Sequence, residues 1–116
     1  MKNIQPNFLK ILLLITISFL TAPAYSNNFS AKLSQADSLY KLKRYTQSFE
    51  IYDALLSVNH YSPAMLLKMA YIQEGLGKPS KSLYYLNLYY LATGDEQTLE
   101  KMQEVATKNR LEGYQY

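Results

Sequence analysis

Residues thirty-four positions apart match each other along the middle of this chain. Ala36 pairs with Ala70, Ser48 with Ser82, Phe49 with Leu83 and Tyr52 with Leu86. Between them, Lys43-Arg44-Tyr45 falls at the same offset from Gly77-Lys78-Pro79. A period of this length is that of a supersecondary unit which buries its apolar face by stacking on its neighbour.

The unit is helical. No run alternates β-branched and polar residues, and no Asn-Gly hairpin signal occurs. Breakers fall at Asn59-His60-Tyr61-Ser62-Pro63, at Gly75-Leu76-Gly77-Lys78-Pro79, at Thr93-Gly94-Asp95 and at Gly113. They predict helices near 30–42, 46–58, 63–75, 80–92 and 96–111. Ser62 is a good N-cap, and Pro63 suits the first helical position, where a missing N–H costs nothing. Pro79 opens a helix in the same way. Asp95 and Glu96 suit the positive N-terminal end of the last helix. That helix carries Leu99, Met102, Val105 and Ala106 on one stripe, backed by Glu100, Lys101, Glu104 and Lys108. The pattern is that of a cap which shields the last apolar face of a stack.

This helix–turn–helix unit resembles the tetratricopeptide repeat (TPR) over roughly residues 29 to 95. In that family small residues let the paired helices approach closely, roles that fall here to Ala36 and Ala70, and to Ser48 and Ser82. A large residue fills the remaining gap, here Tyr52 and Leu86. Gly77 matches the family's turn glycine, and Lys43 replaces it in the first pair. His60 and Gly94 stand where the family has a terminal proline. The resemblance implies an all-α fold: a right-handed α-solenoid of two TPR-like helix hairpins plus a C-terminal capping helix. The repeats are expected at about 29–62 and 63–96 within a domain of residues 30–112, with the cap at 96–111 and a short tail at 113–116. It also implies a peptide groove lined by the first helix of each pair. Leu33, Asp37, Tyr40 and Lys41 would face it from the first repeat, and Leu67, Tyr71 and Glu74 from the second. Asp37 and Tyr71 stand where some members place asparagines that clamp a peptide's carboxylate, which points instead to an apolar or aromatic segment.

The first residues read differently. Lys2 and Lys10 flank a short basic stretch ahead of the apolar run Ile11–Leu20. Ala22 and Ala24 then supply the small residues of a signal-peptidase site, with Ala24 and Ser26 as an alternative. Residues 1–24 are therefore expected to be a signal peptide, 25–29 a linker, and the product exported to a periplasm or envelope. The apolar run is short for a membrane span, so a membrane association would come only through an uncleaved N-terminal segment. The chain has no cysteine, which excludes disulfides, thiolate metal sites and cysteine nucleophiles. Setting Lys2 and Lys10 aside leaves ten basic against nine acidic residues. That balance, with no basic stripe among aromatics, argues against nucleic acid.

Chemistry is hard to find. His60, the only histidine, lies in an inter-repeat turn without the spacing of a catalytic constellation. Gly75-Leu76-Gly77-Lys78 lacks the earlier glycine and the following hydroxyl of a phosphate loop. No acidic set has calcium-loop or paired-carboxylate spacing. No enzymatic activity, metal or cofactor is expected. The excess is in tyrosine, of which there are 12, concentrated in Tyr84-Tyr85-Leu86-Asn87-Leu88-Tyr89-Tyr90. Stacking is expected to bury Leu83, Leu86 and Tyr90, turn Tyr89 toward the cap, and leave Tyr85 and Leu88 pointing outward. An exposed aromatic patch marks a partner surface. The expectation is a protein-segment-binding adaptor. The alternative is a self-associating or membrane-tethered part of a larger assembly, or a fragment of a longer chain.

Overall fold

The computed structural model describes residues 25–110, with side chains from residue 28 onward. The expected signal peptide and the tail at 113–116 lie outside the described residues. Five helices follow in order: α1 Tyr25–Lys41, α2 Tyr45–Ser57, α3 Pro63–Gly75, α4 Pro79–Thr93 and α5 Gln97–Lys108. Among the described residues there is no strand, and the fold is all-α. Contacts divide the chain into two compact units, Met1–Ala31 and Lys32–Tyr116. The first contributes the opening turns of α1 to the described residues, and the second contains everything that follows.

The helix limits fall close to those the breakers predict, with one difference. Helix α1 starts at Tyr25, so residues 25–29, expected as a linker, are helical. After Pro23 there is no glycine or proline before the Ser62-Pro63 turn, so nothing local stops the helix from extending backward.

The thirty-four-residue echo reappears in the backbone. At the end of α1, Leu42, Lys43 and Arg44 donate their N–H groups to the carbonyls of Ser38, Tyr40 and Leu39 at 3.1, 3.0 and 2.9 Å. At the end of α3, Leu76, Gly77 and Lys78 donate to Ile72, Glu74 and Gln73 at 2.9, 3.0 and 2.8 Å. Every donor and acceptor is displaced by 34 residues. Both turns need one left-handed residue. Gly77 supplies it in the second with φ +74°, and Lys43 takes φ +61° in the first. Lys43 therefore occupies the glycine position without glycine's freedom.

The two turns after α2 and α4 are less alike. Asn59 is left-handed at φ 62° in one and Gly94 at φ 67° in the other, one register apart. Helix α3 opens on Ser62, whose hydroxyl accepts from the Met65 N–H at 3.2 Å, with Pro63 at the first helical position. At α5 the residue before the helix is Glu96. Asp95 lies one position before it, its Oδ1 accepting from the Gln97 N–H at 3.1 Å.

Packing is densest around α3 and α4. Met65, Leu66, Met69, Ala70 and Ile72 of α3 and Leu83 and Leu86 of α4 are buried. Ala36, Ser48, Tyr52 and Leu55 form the α1–α2 share, and Met102, Val105 and Ala106 the α5 share. The small pair Ala36–Ser48 brings two helices close enough for the Ser48 hydroxyl to donate to the Ala36 carbonyl at 2.8 Å. The matching Ser82 is equally buried, yet its hydroxyl has no partner. Nothing in the structure explains that difference.

Candidate functional site

The odd-numbered helices place a row of charged and aromatic side chains together. Lys68 of α3 reaches back to Asp37 of α1, Nζ to Oδ1 3.1 Å, and lies over the Tyr40 ring at 5.6 Å. The arrangement repeats one step on. Lys101 of α5 reaches Glu74 of α3 at 3.1 Å and lies over the Tyr71 ring at 5.9 Å, with Glu104 at 3.6 Å. At each step a lysine binds a carboxylate and a tyrosine face on the preceding odd helix, which combines ion-pair and cation–π attraction. Tyr52 of α2 donates its hydroxyl to the same Asp37 carboxylate. Tyr40 and Tyr45 meet edge to face at 5.6 Å.

This row contains most of the residues predicted for the groove. Asp37, Tyr40, Tyr71 and Glu74 come together through their lysine partners, with Tyr71 43% exposed. Leu33 and Leu67 are half-buried, and Lys41 is exposed at the end of α1. The lysines are not among the residues the sequence picks out. Lys101 is expected on the polar back of the cap, and its stem instead folds toward α3.

Electrostatics follow from these contacts. Burial pushes the Tyr52 phenol well above its usual value, and its hydrogen bond to Asp37 and that carboxylate's charge push it further. Burial also raises the Tyr40 phenol, reinforced by Tyr45 and Tyr71. For Lys101 burial acts downward, but Glu74, helped by Glu104, outweighs it and holds the ammonium above its usual value.

The even-numbered helices present a different surface. An open groove of about 360 Å³ lies between the end of α2, the turn to α3 and the length of α4. Leu56, Tyr61, Leu66, Tyr84, Leu88, Leu91 and Ala92 line it, with Asn59 at the turn. Tyr61, Tyr84 and Leu91 are 51, 57 and 71% exposed. Among the described residues no charged side chain lines it. His60 lies in the adjoining turn, exposed, its backbone N–H donating to the Leu55 carbonyl at 2.9 Å.

Helix α4 departs from expectation at Tyr85 and Tyr90. Tyr85 does not point outward: it is 8% exposed, edge-on to Phe49 of α2 at 5.6 Å and to Tyr84 at 5.0 Å. Its neighbour Tyr84 is the exposed one. The helix is apolar nearly all round, so its sequence does not mark a buried face. Phe49 decides it by offering an aromatic edge to Tyr85. Leu88 is half-buried and lines the groove, and Tyr90, expected in the core, is half-buried too. Leu83 and Leu86 are buried as expected.

No family model matches this chain, and neither does any curated protein or solved structure. Among the described residues no helix is long and apolar enough to cross a membrane. The site must therefore be read from its own chemistry. It offers one face whose charges are bound to each other and another face that is apolar, open and uncharged.

Proposed function

We propose that this chain is a non-enzymatic protein–protein interaction module: two tetratricopeptide-like hairpins stacked as a right-handed α-solenoid and closed by α5, exported to a periplasm or envelope. The repeat reading is supported by turns whose hydrogen bonds recur at 34 residues, and by small buried residues at matching positions of both hairpins. Export rests on the basic and apolar pattern of residues 1–24 alone.

The observation that carries the interaction reading is the uncharged groove along α4. Monomeric proteins seldom leave leucine and tyrosine this exposed side by side, and tyrosine is favoured where one end of a side chain is apolar and the other wet. The odd-helix face is the weaker candidate. Its lysines already hold the carboxylates and rings that a ligand would use.

The test compares two variants for what they retain from an envelope extract. Tyr84→Ala with Leu91→Glu alters the groove, and Tyr71→Ala alters the opposite row. Circular dichroism establishes that each is folded. A retained protein lost with the groove variant and kept with Tyr71→Ala supports the reading. Identical retention by the wild type and both variants defeats it.

A further inference from the structure

The odd helices all end alike. Asn109 and Arg110 donate their N–H groups to the carbonyls of Val105 and Thr107, both at 3.2 Å, as Leu42 and Lys43 donate to Ser38 and Tyr40, and Leu76 and Gly77 to Ile72 and Glu74. The left-handed residue falls at the same place in all three endings: Lys43 at φ 61°, Gly77 at φ 74° and Arg110 at φ 55°. Helices joined by turns as short as 42–44, 58–62, 76–78 and 94–96 run antiparallel, so α1, α3 and α5 finish at one edge. That edge gathers the cations. Lys41, Lys43 and Arg44 come from the first turn, Lys78 and Lys81 from the start of α4, and Lys108 and Arg110 from the end of α5. All are exposed, and none has an ion-pair partner among the described residues. No Asp or Glu occurs in residues 41–46, 75–81 or 108–110. Asp37 and Glu74, farther back on α1 and α3, are held by Lys68 and Lys101. The opposite edge, with the 58–62 and 94–96 turns, carries Asp95 and Glu96 and no lysine or arginine.

Two further features mark the basic edge. Lys43 and Arg110 hold a backbone conformation that glycine adopts freely and other residues adopt under strain, so two of the cations stand where the fold alone would favour glycine. Leu42 and Leu76 open two of the turns and stand among the cations 66 and 39% exposed. We infer that this edge docks on the surface of an anionic lipid bilayer. The cations draw it into the negative surface potential, and the two leucines enter the boundary between headgroups and acyl chains. A phosphate backbone of nucleic acid would satisfy the cations but offers the leucines nothing apolar. An acidic protein would need apolar pockets at the spacing of the two leucines, whereas a bilayer surface supplies charge and apolar depth at every point. This contact needs neither the groove along α4 nor residues 1–24.

Flotation of the full chain with lipid vesicles tests this, each variant being checked for folding by its urea midpoint. Binding to vesicles containing phosphatidylglycerol should exceed binding to pure phosphatidylcholine by about tenfold or more, and fall as salt rises. Lys78→Glu with Lys81→Glu should weaken it by more than about tenfold, since each cation at such a surface is worth about fivefold. Lys32→Glu changes the net charge as much as Lys78→Glu does, but lies about 14 Å back along α1, so it should alter binding by less than about twofold. Lys43→Gly should strengthen the fold and yet weaken binding by about fivefold, a divergence that a purely structural role for Lys43 would not give. Leu42→Asn with Leu76→Asn should weaken binding by about tenfold. Equal binding to both kinds of vesicle, as insertion of the N-terminal apolar run alone would give, overturns the proposal. So do equal losses from Lys32→Glu and Lys78→Glu, and so does unchanged binding by the leucine variant. Capture of duplex DNA or polyglutamate without capture of vesicles gives the edge to another partner and overturns it as well. The groove variant, Tyr84→Ala with Leu91→Glu, should float as the wild type does, so this edge and the groove stand or fall separately.

Discussion

Single residues carry the repeat, and two positions show at what cost. Lys43 holds a left-handed backbone that Gly77 holds in the second hairpin, and both turns make the same hydrogen bonds. Lys43→Gly should therefore stabilise the protein by about 0.5–1 kcal/mol, the relief of left-handed strain less glycine's added entropy. Gly77→Ala should cost about 1 kcal/mol, although an added Cβ would meet no neighbour within 4 Å. Urea midpoints of the two variants must move in opposite directions. The serines make a second contrasting pair. Ser48→Ala removes a buried bond to the Ala36 carbonyl and should cost about 1 kcal/mol. Ser82→Ala removes a buried hydroxyl that bonds to nothing and should be neutral or stabilising by up to about 1 kcal/mol. Thermal melting of both variants checks it. These positions were legible from sequence because caps, turns and small residues act through nearby backbone. Whether a given serine finds its carbonyl depends on how two helices seat, and that is not written at either position.

Elements were legible in proportion to how sharply their two faces differ. In α5 the apolar stripe stands out, and Met102, Val105 and Ala106 of it are buried while Leu99 is half-buried. In α4 the two faces are not distinct, and the inward tyrosine could not be told from its outward neighbour until Phe49 was placed beside it. The groove was hidden for a different reason: Tyr61, Leu66 and Leu91 come from three separate segments. The burial difference has a measurable consequence. Tyr85→Ala should cost about 3 kcal/mol, as large aromatic truncations in a core do. Tyr84→Ala should change stability by no more than about 0.5 kcal/mol. Chemical denaturation that ranks them the other way would reverse the assignment of the two rings.

At the scale of the molecule, several proton-holding groups act together. Tyr52, Tyr40, Tyr85 and Lys101 all have folded-state values above their ordinary ones, for which the tyrosine reference is 10.0 and the lysine reference 10.5. The folded chain thus keeps protons that the unfolded chain releases. Their stabilising contribution is complete below about pH 10 and is lost as pH rises through the folded values. These four groups accordingly leave stability unchanged through neutrality and make it fall on the alkaline side. Tyr52→Phe should lower the plateau by about 1.5 kcal/mol, for a hydrogen bond to a carboxylate, and make the alkaline decline shallower by about one proton. Urea unfolding between neutral pH and pH about 11 would show both effects. The two lysine bridges have a mechanical meaning as well. They tie α1 to α3 and α3 to α5, and among the described residues no ion pair joins α2 to α4. Flexing that spreads the odd helices must stretch ion pairs, and flexing that spreads the even helices need not. The domain is thus stiffer in one sense of bending than in the other, and salt, which screens those ties, softens it in that one direction.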